Sequence, residues 1–110
     1  MASFERYYAA GIESTPTVVH TSNASDSAQA DIIIGLLLSN SGLATATVSA
    51  YVVGAGETNV YLCRDISVPA GGSTEVVQGK IVLNNTDAVN VVSSSGSIDC
   101  WLSVLDNASA

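Results

Sequence analysis

Positive charge is nearly missing from this chain. Its 110 residues carry three cations, Arg6, Arg64 and Lys80, against ten Asp and Glu, for a net charge of −7. A protein that grips a phosphate backbone draws its affinity from several Lys and Arg contacts, each releasing counterions. Three cations cannot form such a stripe, so nucleic acid is excluded as a partner. The same shortage argues against an anionic membrane surface. Long hydrophobic runs are missing too. The greasiest stretch, Ile32-Ile-Ile-Gly-Leu-Leu-Leu38, holds seven residues after Asp31, against the roughly 20 of a spanning helix. The chain opens Met1-Ala-Ser-Phe, without the basic and apolar regions of a secretory signal, so synthesis in the cytoplasm with no signal peptide is expected. The three Asn-x-Ser/Thr sequons, at Asn23, Asn84 and Asn107, then read as by-products of composition.

The equipment of catalysis is equally thin. There is one histidine, His20, and neither a G-x-S-x-G elbow nor a Cys-based signature beside which it could act as a base. It reads as a strand-end histidine near the surface. The ten acids are scattered over turns and strand ends with no D-x-D-x-D-G spacing. They read as solvated, with Asp31 and Asp87 bonding local backbone N–H groups. Gly54-x-Gly56 and Gly71-Gly72 have no helical sequence behind them, which a phosphate loop requires. Cys63 and Cys100 lack metal-site spacing and sit in apolar runs, so both are read as reduced, buried thiols. No catalytic residue, cofactor or metal is assigned, and an enzyme is not expected.

What remains is a strand-forming composition. Hydrophobic residues reach 47% and charged ones only 12%, with a mean hydropathy of +0.38, too apolar for disorder. Val, Ile and Thr suit a pleated surface, and Gly, Asn and Ser suit its turns. Period-2 alternation is clear over 44–53, where Ala46, Val48, Ala50 and Val52 share a face, and over 97–106, where Ile98, Cys100, Leu102 and Val104 do. The run 31–39 is apolar on both sides, as in a strand covered above and below. Further strands are predicted at 17–21, 58–68, 73–78, 80–83 and 88–93. Gly54–Glu57 should close a hairpin, Arg64 marks a bulge or a point where the strand leaves the core, Pro69–Gly72 a turn and Gly79 a bulge or a corner. The segment 22–30 reads as a loop, with one helical turn capped by Ser25 or Asp26. Eight to nine short strands and no 3.6-residue period give an all-β fold, a two-sheet β-sandwich or jelly roll. It forms a single domain over residues 1–110, with 1–12 an extended N-terminal arm or edge strand.

Phe4, Arg6, Tyr7 and Tyr8 crowd into that first segment, and aromatics with Arg are enriched at protein interfaces. These four are the candidate protein-interface residues. Tyr51, Tyr61 and Trp101 fall on the second faces of their strands. A core short of aromatic mass gains less from burial, at about 25 cal/mol per Å², and runs such as Ile32–Ile34 on an open edge invite pairing. A homo-oligomer, or docking on a larger assembly, answers both.

Residues 31–106 carry a further pattern: DIIIGLLLSN, two alternating strands, VPAGGSTEVVQGKIVL, then TDAVNVVSSSGSIDCWLSVLD. In this the chain resembles small virion structural proteins of tailed bacteriophages, in which a β-sandwich or jelly roll decorates or cements the capsid or sits at the head–tail region. Thr86 stands where that family's turn after G-K-I-V-L has Gly. The resemblance implies a capsid decoration protein, made in the host cytoplasm and located on the virion surface. Its partners would be the major capsid protein or other virion proteins. The alternatives are a neck, tail or fibre-attachment component, a carbohydrate-binding module using Trp101, Tyr51 and Tyr61, and a secreted adhesin with a Cys63–Cys100 disulfide.

Overall fold

A computed structural model of the chain describes residues 3–22, 29–54, 58–77, 79–84 and 86–109. Among these described residues nine strands are formed: β1 (Ser3–Ile12), β2 (Thr17–Thr21), β3 (Gln29–Asn40), β4 (Ala46–Val53), β5 (Asn59–Val68), β6 (Ser73–Glu75), β7 (Ile81–Leu83), β8 (Ala88–Ser93) and β9 (Ile98–Ser109). One sheet runs β1-β9-β3-β6, with β7 also on β3, and the other runs β2-β8-β4-β5. Every pairing is antiparallel.

β6 lies along Leu37–Ser39 and β7 along Asp31–Ile33, so the two are one interrupted strand beside β3. Taken as one, they leave four strands in each sheet. Apart from that interruption and the β4–β5 hairpin, each connection crosses from one sheet to the other. That winding is a jelly roll, and the all-β expectation holds.

Alternation places the core. Ala46, Val48 and Ala50 of β4 and Ile98, Cys100, Leu102 and Val104 of β9 are buried, as their spacing predicts. They meet Ile33, Leu36 and Leu38 of β3 and Val89 and Val91 of β8 between the sheets. β3 keeps Ile33 and Leu36 both inward through an irregular register between Ile33 and Gly35.

Several local expectations are refined. Residues 3–12 are an edge strand paired to β9, not a free arm. Near its end Gly11 takes φ +63° at a register shift, donates its N–H to Asp99 Oδ1 at 3.0 Å, and lets Ile12 reach the core. The bulge expected at Arg64 is present, with Asp65 at φ +51° and its N–H held by Ser49 Oγ at 2.9 Å. A second shift beside it turns both Leu62 and Cys63 toward the core. At Pro69–Gly72 the Gly72 N–H returns to the Pro69 carbonyl at 2.9 Å. Asp87 closes its own turn by accepting from the Asn84 N–H at 2.9 Å, as expected. The expected helical turn at Ser25 and Asp26, the closing residues 55–57 of the hairpin, Asn23 and Asn85 lie outside the described residues.

Candidate functional site

Two features stand apart from routine packing, on opposite sides of the β1-β9-β3 sheet. The first is its outer surface. Side chains alternate along β1, so Phe4, Arg6 and Tyr8 point away from the core while Tyr7 points toward it. Register then assembles rows across the sheet. Tyr8 pairs with Trp101 and Trp101 with Leu37. Phe4 pairs with Leu105, Leu105 with Ile32, and Ile32 with Val82. The Tyr8 and Trp101 rings stack with centroids 5.5 Å apart and planes 13° apart. The Arg6 guanidinium lies 5.5 Å from each ring. Phe4 is 76% exposed, Tyr8 61% and Trp101 45%, and Ile34, Leu37 and Val82 are exposed beside them. The result is an exposed aromatic and aliphatic patch on the outer face of this sheet.

Three of the four interface candidates, Phe4, Arg6 and Tyr8, therefore share one face. Tyr7 is on the other. The expectation that the run 31–39 is covered on both faces is corrected: Ile34 and Leu37 of β3 are exposed on the outer face. A break in the alternation of β3 between Ile33 and Gly35 sets which of its residues face outward, and Val82 of β7 joins them through its pairing with Ile32. The proposed carbohydrate row does not form. Trp101 lies on this face, whereas Tyr61 and the buried Tyr51 meet with ring centroids 5.3 Å apart and planes tilted by 53° on the outside of the other sheet.

The second feature lies inside, where β2 of one sheet meets β3 and β9 of the other. His20 Nε2 is 2.8 Å from Asp31 Oδ2 and 3.8 Å from Asp106 Oδ1. Tyr7 donates its hydroxyl to Asp106 Oδ2 at 2.5 Å and stacks on the His20 ring at 4.0 Å. Asp31 is fully buried, and His20 and Asp106 are nearly so. Burial, followed by the bond to Asp106, pushes the Tyr7 hydroxyl's pKa upward, so the group stays a donor. This corrects the sequence reading at two points. His20 is not near the surface, and Asp31 and Asp106 are not solvated acids. Sequence spacing gave no hint because the four residues come from four separate strands.

Both cysteines are free thiols, Cys100 buried in the core and Cys63 half-buried. Burial pushes the Cys100 thiol up to about 12 and raises Cys63 as well. Neither is poised for nucleophilic chemistry.

No family model matches the sequence, and no curated protein matches it. Among solved structures the chain is similar to one from the disulfide-linked pili of Bacillus endospore appendages. Identity there is 15% and the TM-score 0.52, over 98% of this chain and 88% of that one. It is also similar to a chain of the T13 IBDV viral particle, at 12% identity and a TM-score of 0.53, over 96% of this chain but 31% of the viral one. At such identities the likeness is one of fold, a jelly roll found in one case in a pilus and in the other in an icosahedral virus particle.

Proposed function

We propose that this chain is a structural subunit of a virion, a decoration or cement protein that docks on the outer shell of a tailed-phage capsid and bridges neighbouring capsomers. The observation that carries the reading is the exposed face built from Phe4, Tyr8, Leu37, Trp101 and Val82, with Arg6 among the aromatics. Its opposite side already packs on the second sheet, so this face is surplus to the domain's own folding and suits a partner. Tyr, Trp and Arg are the residues that dominate binding energy at interfaces. The phage-like segments over 31–106 and the jelly roll itself support the same reading. Each copy would contribute modestly, and a lattice of sites multiplies the effect. Copy number in purified particles, measured by quantitative mass spectrometry, tests it. Decoration requires hundreds of copies per particle, whereas a neck or tail position gives on the order of ten.

A second reading, a subunit of a homopolymer, is favoured by a separate observation. The long strands β1 and β5 are edges, one in each sheet, and both carry exposed residues along their length. Edge-to-edge pairing between different edges is head-to-tail and produces rings or filaments. Light scattering of the purified protein separates the two, since a decoration protein stays small until it meets a shell.

A further inference from the structure

We propose that His20, Asp31 and Asp106 form a structural site for a divalent cation of the zinc type, which clasps the two sheets together at the β1 edge. The donors are one imidazole nitrogen and two carboxylate oxygens, all within 4.8 Å of one another. Zinc binds such N and O donors at about 2.0–2.2 Å, which sets neighbouring donors roughly 3.3–3.6 Å apart. The 2.8 and 3.8 Å separations from His20 Nε2 bracket that spacing.

The cluster is more than a set of acids in one place. The Asp106 side chain is 12% exposed, but its Oδ1, the oxygen turned toward His20, is itself buried and has no hydrogen-bond partner among the described residues. A buried carboxylate oxygen left in that condition costs free energy that a cation ligand would recover. The other oxygen of the same carboxylate is fixed by the Tyr7 hydroxyl, the outer partner that orients metal-binding carboxylates. The Tyr7 ring, stacked on His20, fixes the imidazole in turn. Asp106 Oδ1 faces the imidazole at 3.8 Å, and the chain's three fixed cations are elsewhere. Arg6 lies over Tyr8 and Trp101, Arg64 lies over Tyr61, and Lys80 is exposed. The ligands come from β2 in one sheet and from β3 and β9 in the other. A bound ion would therefore couple the sheets and, through Tyr7, hold β1 with its outward aromatics in place.

The test is calorimetric titration of the chelator-stripped protein with Zn²⁺ alone, with Mn²⁺ and Ca²⁺ run separately, and thermal unfolding at each metal concentration. One Zn²⁺ per chain and a Tm that climbs with metal concentration are expected. Asp106→Asn should abolish the 1:1 site. Tyr7→Phe keeps all three donors and should weaken Zn²⁺ about 10- to 100-fold. It decides the matter should Asp106→Asn not fold. Absence of a 1:1 site in the folded wild-type protein overturns the proposal. So does equal Zn²⁺ affinity in wild type and Tyr7→Phe, or Zn²⁺ binding that disappears in Cys63→Ser.

Discussion

His20 and Asp31 meet across the sandwich, Nε2 to Oδ2 at 2.8 Å, from strands that belong to different sheets. The pair is deeply buried, and removing one member of such a pair strands the other's charge or polar group. His20→Ala is expected to lower stability by about 3–5 kcal/mol. Urea unfolding in the presence of a chelator measures this without any metal contribution.

Thr86 holds φ +74°, in the left-handed region that suits glycine and penalises a β-branched residue. Its N–H is bonded to the Ser22 carbonyl at 2.9 Å, and Asp87 N–H to the Asn84 carbonyl at 3.1 Å, so hydrogen bonds hold the turn in this conformation. Thr86→Gly should therefore stabilise the protein by about 1 kcal/mol, read as a higher urea midpoint with an unchanged slope.

The Cys100 thiol, raised by burial to about 12 from an ordinary 9.0, gives a pH signature. Between those values the unfolded chain has released its thiol proton and the native chain has not, so unfolding is favoured as pH rises. Stability contributed by this group is complete below about pH 9 and declines from there toward pH 12. Tyr7, also raised, acts with the same sign at still higher pH. Urea midpoints at pH 8 and 10.5 should fall for the wild type, and less for Cys100→Ala. Iodoacetamide at pH 8.5 should label Cys100 far more slowly in the folded than in the unfolded protein.

Leu102 is fully buried at the centre of β9, between β1 and β3. Leu102→Ala should cost about 2–5 kcal/mol, whereas Leu37→Ser on the outer face of the same sheet should change stability by less than about 1 kcal/mol. The contrast, again by urea unfolding, checks which side of the sheet is core.

Much of this fold was legible in the sequence because a strand's period of two is local. Ala46, Val48 and Ala50, or Ile98, Cys100 and Leu102, declare their face within a few residues. Gly71-Gly72 and Arg64 likewise marked a turn and a bulge where the chain has them. The buried cluster was not legible. Tyr7, His20, Asp31 and Asp106 are brought together only by the order in which strands are wound into two sheets. A single His and scattered acids look the same in sequence whether solvated or joined. The outer face was half legible. Phe4, Arg6 and Tyr8 stood out as a group, but the register that adds Trp101 and Leu37 to them is a property of pairing, not of spacing.

The central claim is that the face around Tyr8 and Trp101 is the docking surface for a capsid shell. Its most direct test is co-sedimentation of the purified protein with phage shells stripped of it, comparing wild type with Trp101→Ser and Tyr8→Ser. Both side chains are exposed, so circular dichroism should show the variants folded. Saturable binding by the wild type, weakened at least tenfold in each variant, is expected, since aromatic anchors of an interface carry 2 kcal/mol or more, roughly a factor of thirty. Wild-type binding that the two substitutions leave unchanged would contradict the claim, as would no binding to shells at all.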